Sequence, residues 1–153
     1  NIERIAERCD EIDKSYENLK SKGYKLSNEA INEVKECMEL SGKLFEEAIE
    51  AVATGDDKVI DKMTRDKNKI RKKNRQCSKA HFGRVKNKKC SKAMSGDYTE
   101  ILQNIGRITD NCVGIAEEAM DNVKFMTLNA EEMEQYGNVI DFSQAKQVEG
   151  TEA

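Results

Sequence analysis

Apolar residues recur every three or four positions along the first half of the chain, a spacing that is typical of amphipathic helices. The first such segment runs from about residue 2 to residue 22, and Gly23 supplies a stop. The second starts after Ser27, a residue type that caps helices, and ends before Gly55. The pattern therefore predicts two helices joined by a short link.

Each of these helices carries an apolar stripe that we expect to face the core. On the first helix the stripe is Ile2, Ile5, Ala6, Cys9, Ile12, Tyr16 and Leu19. On the second helix it is Ile31, Val34, Met38, Phe45, Ile49 and Val52, widened by Leu44 and Ala48.

The same spacing predicts two further long helices. Asp56 or Asp57 caps the third, which continues to about residue 88, and Asp97 with Glu100 forms a capping box for the fourth. The apolar seam of the third helix is thin: Val59, Ile60, Met63, Ile70, Cys77, Phe82 and Val85. The fourth is predicted to bury Ile101, Leu102, Ile105, Ile108, Cys112, Ile115, Ala116, Ala119, Met120 and Val123.

The end of the chain changes character. Asn129 with Glu132 forms a second capping box, which predicts a short separate helix to about residue 136. Residues 137–153 lose the helical period, so we expect a polar tail there.

The composition favours helices throughout. The chain has no proline, its aromatic residues amount to 5%, and charged residues reach 36%. Since proline breaks helices and strand-forming residues are scarce, we predict an all-α fold, an antiparallel bundle of four main helices. The cysteine number, five, is odd and there is no CxxC pair, so we expect free thiols in a reducing compartment.

Basic residues are concentrated in one segment. Residues 62–92 contain fourteen Lys/Arg and one acid, Asp66, so this segment carries about +13 and the remainder about −16. The expected anion-binding or membrane-facing residues are Arg71, Lys72, Lys73, Arg75, Lys79, Arg84, Lys86, Lys88 and Lys89. Three partners remain open for them: acids of the second or fourth helix, an anionic membrane surface, or nucleic acid. Within this segment Phe82 is the one aromatic residue that could stack on bases, which disfavours nucleic acid.

Catalytic chemistry is not indicated. His81 is the chain's single histidine, and Cys77 lies one helical turn before it. With neither a nucleophile–base arrangement nor a phosphate-binding loop, we predict a protein that is not an enzyme.

A short helical phrase occurs twice at an offset of 103 residues. Ile2, Arg4, Ile5, Cys9 and Ile12 recur as Ile105, Arg107, Ile108, Cys112 and Ile115. Recurrence at a fixed offset indicates a duplicated structural unit. We therefore expect the first helix to be the last helix of an earlier copy, and the chain to be a piece of a longer protein.

The repeated phrase resembles the signature helix of the PhoU family. Residues 104–110, followed by Ile115, Ala116 and Glu117, resemble the family's Glu-Arg-Ile-Gly-Asp and Asn-Ile-Ala-Glu motifs, and residues 2–7 resemble them more closely. The likeness covers residues 2 to about 120. It implies one complete three-helix repeat at residues 24–136, preceded at residues 1–23 by the last helix of a truncated repeat.

A second phrase narrows the likeness. His81, Arg84, Cys90 and Tyr98 follow one another as in the C-terminal cytoplasmic domain of bacterial sodium/phosphate cotransporters. The resemblance implies a non-enzymatic regulatory domain on the cytoplasmic side of the bacterial inner membrane, which docks on the transporter portion of the same polypeptide and controls phosphate uptake. Homodimerisation through the first helix is a further expectation. A basic helical module for nucleic acid and a metal-binding bundle are the alternatives.

The resemblance also bears on metals, because some family members bind metal clusters through acidic pairs spaced i, i+4. Glu3 and Glu7 keep such a pair, and Asp110 keeps one member of the second pair. Gly106 replaces its partner, while Lys67 and Arg71 stand where the neighbouring helix would supply acids. We therefore expect no bound metal, and expect Asp110 to contact Arg107 one turn earlier.

Overall fold

The structure, a computed structural model, describes residues 1–137, with side chains up to Lys124 and at Thr127 and Ala130. It contains four helices: α1 (Ile2–Ser21), α2 (Asn28–Thr54), α3 (Lys58–Lys86) and α4 (Ser95–Gly137), with a 3-10 turn at Lys92–Met94 before α4. These residues include no strand, which confirms the predicted all-α fold. No helix within the described range is long and apolar enough to cross a membrane.

The chain divides into two compact units, Asn1–Met120 and Asp121–Ala153. The first unit is an antiparallel four-helix bundle built from α1, α2, α3 and the first part of α4. The second unit is helical as far as residue 137, and the predicted polar tail lies almost wholly outside the described residues.

Most predicted helix ends are confirmed. Ser27 caps α2 by accepting a hydrogen bond at Oγ from the Ala30 N–H at 3.2 Å. Gly23 and Gly55 follow α1 and α2 with φ of 77° and 67°, the left-handed backbone that favours glycine. At α3, Asp57 holds the cap position, but it is the Asp56 carboxylate that accepts from a helix N–H, that of Lys58.

The predicted starts of the later helices are wrong. Helix α4 begins at Ser95, so Asp97 lies in its first turn, where it accepts hydrogen bonds from Asn18 at 2.6 Å and Lys22 at 3.2 Å instead of capping. No separate helix starts at Asn129, because α4 runs through this position without a break. Residues 115–136 contain neither glycine nor proline, so nothing in the sequence interrupts the helix there.

Cross-helix contacts establish the antiparallel order within the first unit. Asn1 reaches Glu118 at 3.0 Å while Asn18 reaches Asp97, so α1 runs opposite to α4. Glu47 pairs with Lys62 and Glu33 with Arg84, which orients α2 and α3 oppositely. Arg71 and His81 of α3 likewise meet Asp110 and Ser95 of α4.

The core uses smaller residues than the predicted stripes. On α2 the buried face consists of Ala30, Cys37, Ser41, Leu44, Ala48 and Ala51. Of the predicted stripe, Ile31, Ile49 and Val52 are 43–48% exposed. Small side chains let helix backbones approach closely, so the large residues lie beside the contact and not within it.

Similar shifts occur on two other helices. On α1 only Ser15 and Leu19 are buried, whereas Ile2 and Tyr16 are exposed. On α3 the helix buries His81 and leaves Phe82 at the surface. The α4 prediction fares better, with eight of its ten residues buried: Ile101, Leu102, Ile105, Ile108, Cys112, Ile115, Ala116 and Met120.

Candidate functional site

A partly buried ionic network joins α2, α3 and α4 near the α3–α4 turn. Arg84 donates to both carboxylate oxygens of Glu33, each at 2.8 Å, and the side chains are only 15% and 20% exposed. The Tyr98 hydroxyl donates to Glu33 Oε2 at 2.6 Å. A bidentate arginine–carboxylate pair is geometrically specific, so this arrangement fixes the register of the three helices.

His81 extends the network. Its side chain is 1% exposed, its Nε2 lies 2.9 Å from Ser95 Oγ, and its ring stacks on Tyr98 with centroids 4.6 Å apart. Cys90 Sγ lies 3.9 Å from His81 Nδ1. The four residues of the cotransporter-like phrase, His81, Arg84, Cys90 and Tyr98, therefore meet in one cluster.

The charges of the network are set by burial and by these hydrogen bonds. Burial opposes ionisation of Glu33, but the bonds from Arg84 and Tyr98 outweigh it and lower the pKa of the carboxyl. Burial, together with the nearby Arg84 charge, lowers the pKa of His81, so the imidazole is held neutral. Burial and Glu33 raise the pKa of Tyr98. The cluster thus holds one ion pair among neutral partners.

The cluster is not arranged for nucleophilic catalysis. A serine hydroxyl bonded to an imidazole is two-thirds of a hydrolytic triad, but the second imidazole nitrogen faces the Cys90 thiol and no carboxylate. The neighbouring Cys37 and Cys77 are buried with their sulfurs 3.9 Å apart, and burial raises the pKa of Cys37 to about 12. Protonated, buried thiols are poor nucleophiles, so the cluster is suited to hold helices together.

The predicted basic surface divides into two sets. Three members pair with acids inside the bundle: Arg71 with Asp110, Lys73 with Glu36, and Arg84 with Glu33. The other six are exposed, and no described carboxylate pairs with them: Lys72, Arg75, Lys79, Lys86, Lys88 and Lys89. Internal neutralisation therefore accounts for only part of the basic segment.

The metal candidates do not come together. Glu3 and Glu7 are exposed on α1, and the described residues contain no group of three or more potential ligands. Asp110 is paired with Arg71 at 2.8 Å and Lys67 at 3.6 Å. Two cations beside this carboxylate oppose the approach of a metal ion.

The predicted contact between Asp110 and Arg107 is wrong. Arg107 lies instead toward Asn104 at 3.4 Å and Glu100 at 3.9 Å, because packing of α3 brings its own cations to Asp110. A Cβ at Gly106 would lie 3.6 Å from Asn74 Nδ2, an ordinary contact. An alanine would therefore fit at this position.

Glu33 is the functional residue that sequence reasoning missed. The sequence offered the acids of α2 as a group to neutralise α3, and Glu36 and Glu47 also form ion pairs with it. The signal for Glu33 was its position, three residues after buried Ala30 and four before buried Cys37, which places it at the edge of the core-facing side.

Fold and site together define an all-α bundle in which a partly buried ionic network joins three helices. A family model described as PhoU domain matches residues 34–119, more than half of the chain. The chain therefore belongs to the PhoU domain family, whose general role lies in the regulation of phosphate transport. Searches of curated proteins and of solved structures gave no match. The matched region begins inside α2, so the assignment of α1 to an earlier repeat stays a prediction.

Proposed function

We propose that this chain is a non-enzymatic regulatory domain of a sodium-dependent phosphate transporter, acting at the cytoplasmic side of a bacterial inner membrane. Membership of the PhoU family supports a role in controlling phosphate transport. The likeness of the His81–Tyr98 phrase to sodium/phosphate cotransporters supports the sodium-dependent class.

The network around Glu33 is the observation that carries this proposal. The four residues of the phrase are separated by up to seventeen positions, yet they share one partly buried cluster. This clustering supports a common structural role for the phrase, which is to hold the α3–α4 turn against α2. A domain that regulates by docking needs such a rigid surface, since ordering a loose turn on binding costs affinity.

In this mechanism the bundle makes and breaks no covalent bond. It docks on the inner mouth of the transporter portion, and the docked and undocked states differ in the rate of phosphate entry. A ligand or partner that prefers one of these states shifts the equilibrium between them. Apolar residues exposed on α1, among them Ile2, Ala6 and Cys9, offer a surface for a second copy of the chain.

The test is phosphate uptake by cells that carry the complete gene. Labelled phosphate uptake is measured with and without sodium, for the wild type and for Tyr98→Phe, which removes the hydroxyl bonded to Glu33 and keeps the stacked ring. Tyr16→Phe is the matched control, because it makes the same chemical change at an exposed site. We expect the sodium-dependent uptake rate to change in Tyr98→Phe alone.

Two results would overturn the proposal. An altered uptake that persists equally without sodium would assign the domain to another class of phosphate transporter. Unchanged phosphate uptake in cells that lack the whole domain would show that the domain does not control transport.

A further inference from the structure

The outer side of α3 carries a regular line of cations. Arg65, Lys72, Lys79 and Lys86 follow one another at intervals of seven residues, and all four are exposed. Seven residues are close to two helical turns, so these side chains lie along one side of the helix over about 32 Å. We call these four residues, with Arg75 and Phe82 beside them, the basic stripe.

Nothing described in the bundle neutralises the stripe. Its cations form no ion pair with a described carboxylate, whereas Lys62, Lys73 and Arg84, on the side of α3 toward α2, all do. Arg75 lies three residues after Lys72 and four before Lys79, and like charges at these spacings repel one another, so the unpaired stripe destabilises the isolated helix slightly. A mixture of acidic and basic residues would keep this surface soluble equally well, so solubility alone does not explain a row of cations.

Phe82 adds an apolar contact to the stripe. It follows Arg75 by seven residues and remains 53% exposed, although its ring edge touches His81. A large apolar side chain among lysines and arginines is typical of helices that lie at a membrane interface.

The α3–α4 turn extends the basic surface at a cost in backbone energy. Lys88 has φ of 58°, and two hydrogen bonds close the turn, from Lys88 N to Val85 O at 3.0 Å and from Lys89 N to Arg84 O at 2.8 Å. Glycine usually occupies this left-handed position after a helix. A lysine there retains a positive charge at a site where glycine would be more stable.

We propose that the basic stripe binds the anionic headgroups of a membrane surface, with α3 lying parallel to it. A straight line of cations fits a flat lipid surface, and the excess of acids in the rest of the chain lies on other elements. Nucleic acid is disfavoured because the stripe offers Phe82 alone for stacking on bases and contains no DNA-reading motif. The inference stands on this geometry and does not require the transporter to be of the sodium-dependent class.

Vesicle sedimentation tests the proposal. The chain is mixed with vesicles of phosphatidylcholine alone, or of phosphatidylcholine with phosphatidylglycerol, at low and at physiological salt. The stripe variant carries Lys72→Gln, Lys79→Gln and Lys86→Gln. The control carries Lys25→Gln, Lys35→Gln and Lys43→Gln, three exposed lysines off α3 that also lack an ion pair. Both variants lose the same net charge.

We expect binding to the anionic vesicles only, weakened by salt. Each lysine near an anionic surface contributes roughly fivefold, so the stripe variant loses about a hundredfold in affinity while the control stays within a few-fold. Phe82→Ala weakens binding further without changing its salt dependence.

Three results would overturn the proposal: no binding to anionic vesicles, an equal loss in both variants, or tighter binding to duplex DNA than to vesicles at the same salt. The last result would assign the stripe to nucleic acid. This experiment measures vesicle binding and not transport. A negative result would therefore overturn the membrane proposal without affecting the test by phosphate uptake.

Discussion

Both sides of α3 carry lysine and arginine, but these cations are paired with acids on the inner side and exposed without a described partner on the outer side. On the inner side, Arg84 is 15% exposed and forms a bidentate pair with Glu33, which also accepts from Tyr98. On the outer side, Lys72 and Lys79 are exposed and pair with no described acid. The difference indicates that position on the helix, and not residue type, separates cations that hold the fold from cations that are available to a partner.

The inner and outer sides should respond very differently to mutation. A buried ion pair that loses one partner leaves an uncompensated charge in a poorly solvated place. An exposed cation without a partner contributes little to stability, and its removal relieves repulsion.

Arg84→Ala tests the inner side most severely. We expect it to lower the free energy of unfolding by about 2–4 kcal/mol, because Glu33 then loses its cation in a partly buried site. Urea unfolding followed by circular dichroism measures the loss. Arg75→Ala, the control on the outer side, should stay within about 0.5 kcal/mol; comparable losses in the two variants would contradict the division of α3.

Tyr98→Phe removes a single bond from the same network. We expect a loss of about 2 kcal/mol, since the hydroxyl donates to a charged carboxylate in a partly buried site. The exposed Tyr16→Phe should change stability by less than about 0.5 kcal/mol. An equal effect of the two changes would mean that the bond to Glu33 contributes nothing.

The pH dependence of stability reports on His81. Burial lowers its pKa in the folded state, so the unfolded chain takes up the proton first as the pH falls. Stability should therefore decrease as the pH drops below about 6.5, the ordinary histidine value. The contribution of Glu33 is lost only at lower pH, below the usual glutamate range, because its folded pKa is lowered.

His81→Asn separates these two groups. In this variant, stability should no longer decrease between pH 7 and pH 5, but it should still decrease at lower pH. A wild type whose urea midpoint stays constant from pH 7 to pH 5 would show that the imidazole is protonated equally in both states.

Lys88→Gly tests the backbone strain in the turn that follows α3. Replacing a lysine at φ of 58° by glycine should stabilise the protein by up to about 1 kcal/mol, because glycine adopts this conformation without strain. Thermal unfolding measures the gain. A loss of stability would mean that the Lys88 side chain supports the turn.

Sequence periodicity was sufficient for the fold because the chain has few interruptions. Glycines at positions 23 and 55 and the cap at Ser27 mark boundaries by local chemistry, which needs no tertiary information. The buried face of α2 differs from the predicted apolar stripe because close packing there favours small residues. A prediction from hydrophobicity alone ranks Ile31 above Ala30, although Ala30 is the buried residue. Local patterns do not show how closely two helices approach.

The site was only partly predictable for a similar reason. His81, Arg84, Cys90 and Tyr98 were recognised as a linear phrase, but Glu33 joins them across 51 positions and no local signal connects it to Arg84. Which cations pair depends on helix rotation, and so Asp110 meets Arg71 from α3 and not Arg107 from its own helix. Long-range ion pairs follow from packing and not from composition.

The most direct test of the central claim is the stability of the stripe variant. Urea unfolding of the chain with Lys72→Gln, Lys79→Gln and Lys86→Gln is compared with the wild type at low and at high salt. If the outer cations serve a partner, the variant is at least as stable as the wild type at low salt, and the difference disappears at high salt, where repulsion is screened. A loss of more than about 1 kcal/mol at either salt would show that these lysines hold the fold, which contradicts the account.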